Sequence, residues 1–197
     1  GLAAWFGHSR AAVDTAPLQR ALGRMHNRGP DAEGIWQEPG VWLGHRRLAI
    51  LDLDERANQP MRSVCGRYFI VFNGEIYNFR KLRGELAAKG VAFRTSSDTE
   101  VLLALFAQDG AAMLSRLRGM FAFVIWDSVA QRAFAARDPY GIKPLYWAQT
   151  GDGALVAHCE GRSLREDESC LPLPGADRAG LESDPAAAKR DTTMLPR

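Results

Sequence analysis

The sequence predicts an α+β fold built on antiparallel sheets. Short apolar strands recur along the chain, several joined by tight polar turns. Two or three helices fall between them, but not in the strict strand-helix alternation of a doubly wound parallel sheet. No internal repeat is visible.

Taken in order, Gly1 to Phe6 reads as a first buried strand. Thr15-Ala16-Pro17 opens a helix with Pro in its first turn, and Leu18, Leu22 and Met25 share one face. Arg28-Gly29-Pro30-Asp31 stops it. Strands follow at Gly34–Gln37 and Val41–Arg46, joined by the turn Glu38-Pro39-Gly40, and then at Leu48–Leu53. Tyr68–Phe72 runs into Asn73-Gly74, a dipeptide that signals a hairpin turn. Phe79–Lys89 is helical, with Leu82 and Leu86 four apart and Gly90 as its stop. Ser97-x-x-Glu100 is a capping box ahead of Val101–Phe106. A further helix near Ala112–Leu117 leads to the strand Phe121–Trp126, which pairs with Ala133–Arg137 across the turn Asp127–Arg132. Pro144–Trp147 and Ala154–Ala157 complete the strands.

Composition narrows the function. At 197 residues, 46% apolar and 24% charged, the chain is an ordinary globular domain able to bury a core without staples. A net charge of +2 with no run of five like charges argues against a nucleic-acid partner. Apolar runs such as Met120–Trp126 fall far short of the roughly 20 residues that span a bilayer, so no membrane partner is expected. No secretory signal opens the chain. Three cysteines without a Cys-x-x-Cys pair suit a reducing cytoplasm rather than a disulfide framework or a zinc site. The four histidines lack metalloprotease spacing, and no phosphate-binding glycine loop or Gly-x-Ser-x-Gly elbow is present.

Four stretches can carry chemistry, each with a plainer alternative. Asn73-Gly74 is either a hairpin turn or a pair of donors, a side-chain amide beside a glycine N–H, able to hold an oxyanion. Arg46-Arg47 at a strand end is either a solvated edge or a guanidinium fork for a carboxylate. Asp98 caps a helix, and could also meet an ammonium. Arg137–Tyr146 is a well-formed polar loop.

Together these stretches resemble the amino-terminal glutaminase domain of asparagine synthetases. The matching segments are Gly1–Gly7, Arg28-Gly29-Pro30-Asp31-x-x-Gly34, Gly44–Ile50, Asn73–Asn78, Ser97–Glu100, Arg118–Phe123 and Arg137–Tyr146. They cover residues 1–156 in the family's order, and Arg46–Ile50 with Asn73–Asn78 points to the asparagine synthetase branch. The resemblance implies an αββα sandwich of the Ntn-hydrolase kind over residues 1–157. It implies that Asn73 and Gly74 form an oxyanion hole, that Arg47 binds the glutamine carboxylate, and that Glu75 and Asp98 engage its ammonium, with Ile50 beside them. It also implies no cofactor in this domain. ATP and Mg belong to a separate synthetase domain that amidates aspartate with the released ammonia, and a homodimer is open.

The family's nucleophile is an amino-terminal Cys whose α-amine acts as base. Gly1 aligns with the Gly after it, so that Cys is expected to be absent from this sequence. Asn27 stands where the family has His. From 158 onward the sequence lacks aromatics, departs abruptly from the family pattern as a frameshift would, and reads as a disordered tail. Three alternatives stay open: an amidotransferase with another acceptor, an inactive glutamine-binding or structural module, or a fragment.

Overall fold

The computed structural model describes residues 1–7, 15–49, 52, 54–149, 154–159 and 193–195. Two five-stranded antiparallel sheets form. One has the order β2 (Ala32–Glu38), β3 (Val41–Arg47), β1 (Leu2–Phe6), β9 (Leu155–His158), β8 (Tyr146–Gln149). The other has the order β10 (Thr193–Leu195), β7 (Arg132–Arg137), β6 (Gly119–Asp127), β5 (Tyr68–Ile76), β4 (Met61–Arg62).

Alternating side chains make three apolar layers. Between the sheets, Leu2, Ala4, Val41 and Leu43 meet Phe69, Val71, Ala122, Val124 and Trp126. Outside the first sheet, Trp42 packs on Leu18 and Leu22 of α1 (Ala16–Arg24). Outside the second, Ile70, Phe72, Phe123 and Ile125 pack on Leu82 and Leu86 of α2 (Phe79–Ala88) and on Leu102 and Leu105 of α3 (Asp98–Asp109). The layer order is the expected αββα sandwich.

Several local expectations are corrected. Asn73-Gly74 is not a hairpin turn: β5 runs straight through it and pairs with β6 from Tyr68↔Asp127 to Ile76↔Gly119. Glycine is needed there for close approach. A Cβ on Gly74, whose φ is +154, would lie 2.7 Å from Phe121 Cα and closer still to Met120 O. Leu48 and Ala49 form no strand, because the chain folds back at Asp52, whose φ is +53 and whose carbonyl accepts from Arg47 Nη2. The capping box is one-sided. Ser97 Oγ accepts from Glu100 N–H, but the Glu100 carboxylate reaches past the cap to the N–H groups of Arg94 and Thr95.

Described structure continues past residue 157. His158 completes β9, and the N–H of Leu2 donates to Sγ of the buried Cys159 at 3.0 Å. Thr193–Leu195 forms a ladder with Ala133–Ala135 at the edge of the second sheet, where β7 would otherwise present open backbone groups. The rest of the expected tail lies outside the described residues.

Candidate functional site

The rows of side chains facing the sandwich interior change character at one end. On β3 the row reads Val41, Leu43, His45, Arg47, and on β5 it reads Phe69, Val71, Asn73, Glu75. Both are apolar for two positions and polar for the next two. A cavity of ≈ 440 Å³ opens where they turn polar, lined by Arg47, His45, Gln59, Asn73, Gly74, Glu75, Asp98 and Lys143 among others.

Arg47 is 8% exposed, and its guanidinium is held on one wall. Nη1 donates to Asp54 O at 3.1 Å and Asn58 Oδ1 at 2.7 Å, and Nη2 donates to Asp52 O. The loop after β3 therefore fixes the plane of the fork, as bidentate recognition of a carboxylate requires. Its neighbour Arg46 points to the other face, pairing with Glu33 and donating to Leu22 O. Both arginines border the cavity, but strand alternation places only Arg47 in the inward row.

Asp98, which also lines the cavity, begins α3. Its Oδ2 accepts from Ile76 N–H at 3.0 Å. Burial, with the nearby charge of Glu75, pushes its carboxyl above the usual carboxylate range. An ammonium bound beside it would oppose that shift. The associated stability is full below the ordinary carboxylate pKa and is lost as pH rises through the raised value. Asp98→Asn is therefore expected to melt higher than the parent at pH 7, with the gap closing toward pH 4. Thermal melts of both proteins across that range test this, and a gap that does not change with pH would contradict it.

The edge of β5 borders the same cavity. Because β4 pairs only with Phe69 and Ile70, the edge is open beyond them. Phe72 turns its peptide groups to this edge: its N–H donates to Gln59 Oε1 at 2.6 Å and its carbonyl accepts from His45 Nε2 at 3.0 Å. Ile76 N–H, four residues on, faces the same edge toward Asp98. By alternation Gly74 turns its N–H there too, into the cavity. Asn73 and Gly74 thus lie side by side at the cavity, but on a strand rather than a turn.

Of the expected site residues, the cavity brings together Arg47, Asn73, Gly74, Glu75 and Asp98, while Ile50 lies outside the described residues. His45, Gln59 and Asp138 were not anticipated. His45 is buried and neutral, with burial holding its pKa at about 3. Its place in the inward row was the available signal. Asp138 organises the loop that carries Lys143. One carboxylate accepts from the N–H groups of Phe121, Tyr140, Ile142 and Lys143 at 3.0–3.1 Å.

The family described as glutamine amidotransferase domain matches residues 1–184. This chain belongs to that family. The domain is 49% identical over 149 residues to asparagine synthetase [glutamine-hydrolyzing] 1 of Bacillus subtilis, an alignment covering 74% of the chain and 23% of that protein. It is 45% identical over 150 residues to a putative asparagine synthetase [glutamine-hydrolyzing] of Mycobacterium tuberculosis, covering 71% of the chain and 23% of that protein. The amidotransferase domain thus spans about a quarter of the length of these relatives. Its fold matches glutamine phosphoribosylpyrophosphate amidotransferase from B. subtilis with a TM-score of 0.68 at 26% identity, over 83% of this chain and 42% of that one. Within the amidotransferases, the similarity to asparagine synthetases agrees with the branch assigned from the arginine strand. No helix among the described residues is long and apolar enough to cross a membrane.

Proposed function

We propose that the cavity binds glutamine as a zwitterion and that, with an amino-terminal Cys as nucleophile in the whole protein, its side-chain amide is hydrolysed there. One observation carries this reading. A fixed guanidinium, two carboxylates and an open strand edge with a glycine N–H all line one cavity. Arg47 would take the α-carboxylate, and Glu75 with Asp98 the α-ammonium. The side-chain amide would then lie along Asn73 and Gly74, whose donors would stabilise the oxyanion formed on nucleophilic attack. Hydrolysis releases glutamate and ammonia. In the whole protein, ammonia would pass to a synthetase part that amidates aspartate with ATP and Mg. The protein would act in a reducing cytoplasm, where an exposed thiol such as that of Cys65 persists unpaired.

Calorimetry of the purified protein tests the binding step. The parent should bind glutamine with one-site stoichiometry. Arg47→Lys keeps the charge but loses the planar fork, and should weaken binding about 10-fold. Arg47→Ala should weaken it further. Equal glutamine affinity for parent and Arg47→Ala would remove Arg47 from the site.

A further inference from the structure

Phe72 occupies an unusual position in its sheet. Its N–H and C=O point to the side from which β4 has already departed, so no strand satisfies them. Side chains from two other segments do so instead. Gln59 comes from the loop before β4 and His45 from β3 in the facing sheet. Both residues are buried. A carbonyl only accepts, so His45 Nε2 must carry the proton, which fixes the ring as the neutral Nε2–H tautomer. Gln59 has its amide oriented in turn, because Nε2 donates to Thr99 Oγ1 at 3.3 Å beside Asp98. Its backbone is seated against β2. A Cβ on Gly34 would come within 2.9 Å of the Gln59 carbonyl carbon, so only glycine admits this approach.

We propose that His45 and Gln59 are positioning residues that hold the Phe72 peptide as a missing strand would, and so aim the Gly74 N–H into the cavity. Only Asn73 separates Phe72 from Gly74, and β5 is extended through it, so a rotation at Phe72 is carried to the next peptide on the same edge. The next fixed point along that edge is Ile76 N–H on Asp98. The donor is thus held from both sides. The catalytic consequence rests on the reading of Gly74 as an oxyanion donor. The geometric consequence does not.

The test compares His45→Phe, His45→Gln and Gln59→Leu in the full-length protein. Glutamine places an amide Nε2 near the position of imidazole Nε2, so His45→Gln keeps the donor to Phe72 O, whereas phenylalanine fills the space without it. Two readouts are needed: the Gly74 amide resonance with ¹⁵N-glycine labelling in the absence of ligand, and kcat and KM for glutamine hydrolysis. In His45→Phe and Gln59→Leu the Gly74 resonance should move. The kcat should fall about 10-fold or more, while KM stays within about twofold, because the carboxylate and ammonium contacts are made elsewhere. His45→Gln should restore both readouts. An unmoved Gly74 resonance in both disabled variants overturns the clamp, as does an equal loss of kcat in His45→Gln. A parallel loss of KM and kcat with a collapsed melting temperature assigns these residues a structural role only, and also overturns it. Should the parent hydrolyse no glutamine, the functional reading fails while the Gly74 resonance still decides the clamp.

Discussion

Gly74→Ala is expected to destabilise the domain by about 3 kcal/mol or more and to abolish glutamine turnover. The new methyl would be driven into Phe121 Cα and Met120 O, which are backbone atoms of the paired strand and cannot rotate away. Relief requires β5 and β6 to separate at the centre of the second sheet, where Phe72 and Phe123 anchor the helix-facing core. The φ of +154 adds backbone strain that a Cβ would raise. Urea denaturation of parent and variant measures the loss from the shift in midpoint. A loss below about 1 kcal/mol would show that the strands can part locally, and would weaken the case that this glycine is required by close approach.

Asp138→Ala should cost nearly as much, about 3–5 kcal/mol, by a different route. Four backbone N–H groups converge on a carboxylate that is 1% exposed. Removing it strands them in a space too small to hydrate well. The four losses will not add in full, since the loop from Asp138 to Lys143 can open to water. Asp138→Asn should fall between parent and alanine variant, because one oxygen remains while the amide nitrogen opposes two donors. Loop opening would also displace Lys143 at the cavity rim, so glutamine affinity is expected to fall along with stability. Calorimetric unfolding and glutamine titration on the same samples check both. An alanine variant as stable as the parent would show the loop to be held by other contacts.

Much of the fold was legible because its signals are periodic. The helix faces of α1 and α2 read directly from the spacing of apolar residues. The site was legible chiefly through resemblance. Composition alone could not distinguish Arg47, held by the loop after β3, from Arg46, which pairs with Glu33 and donates to Leu22 O. The failures have a common cause in long-range partners. Asn73-Gly74 carries a local turn preference, but β6 supplies nine paired positions that override it. The Glu100 side chain found better donors in Arg94 and Thr95 than the cap offered. Gln59 and His45 take their roles from a strand edge whose exposure depends on how far β4 extends. No window of sequence around either residue contains that information.

The shared parity of β3 and β5 has a consequence for how such a domain can change over generations. Val41 and Leu43 fill the interior by the same every-second-residue rule that delivers His45 and Arg47 to the cavity, and Phe69 and Val71 do so for Asn73 and Glu75. Point substitutions can alter either half separately. A single inserted or deleted residue within these strands cannot, because it reverses every side chain beyond it and sends core and ligand contacts outward together. Length variation should therefore collect in the segments between strands, such as Pro39-Gly40 or Ser128–Gln131. The spacing from Val41 to Arg47 and from Phe69 to Glu75 is then fixed by two independent demands on the same count of residues.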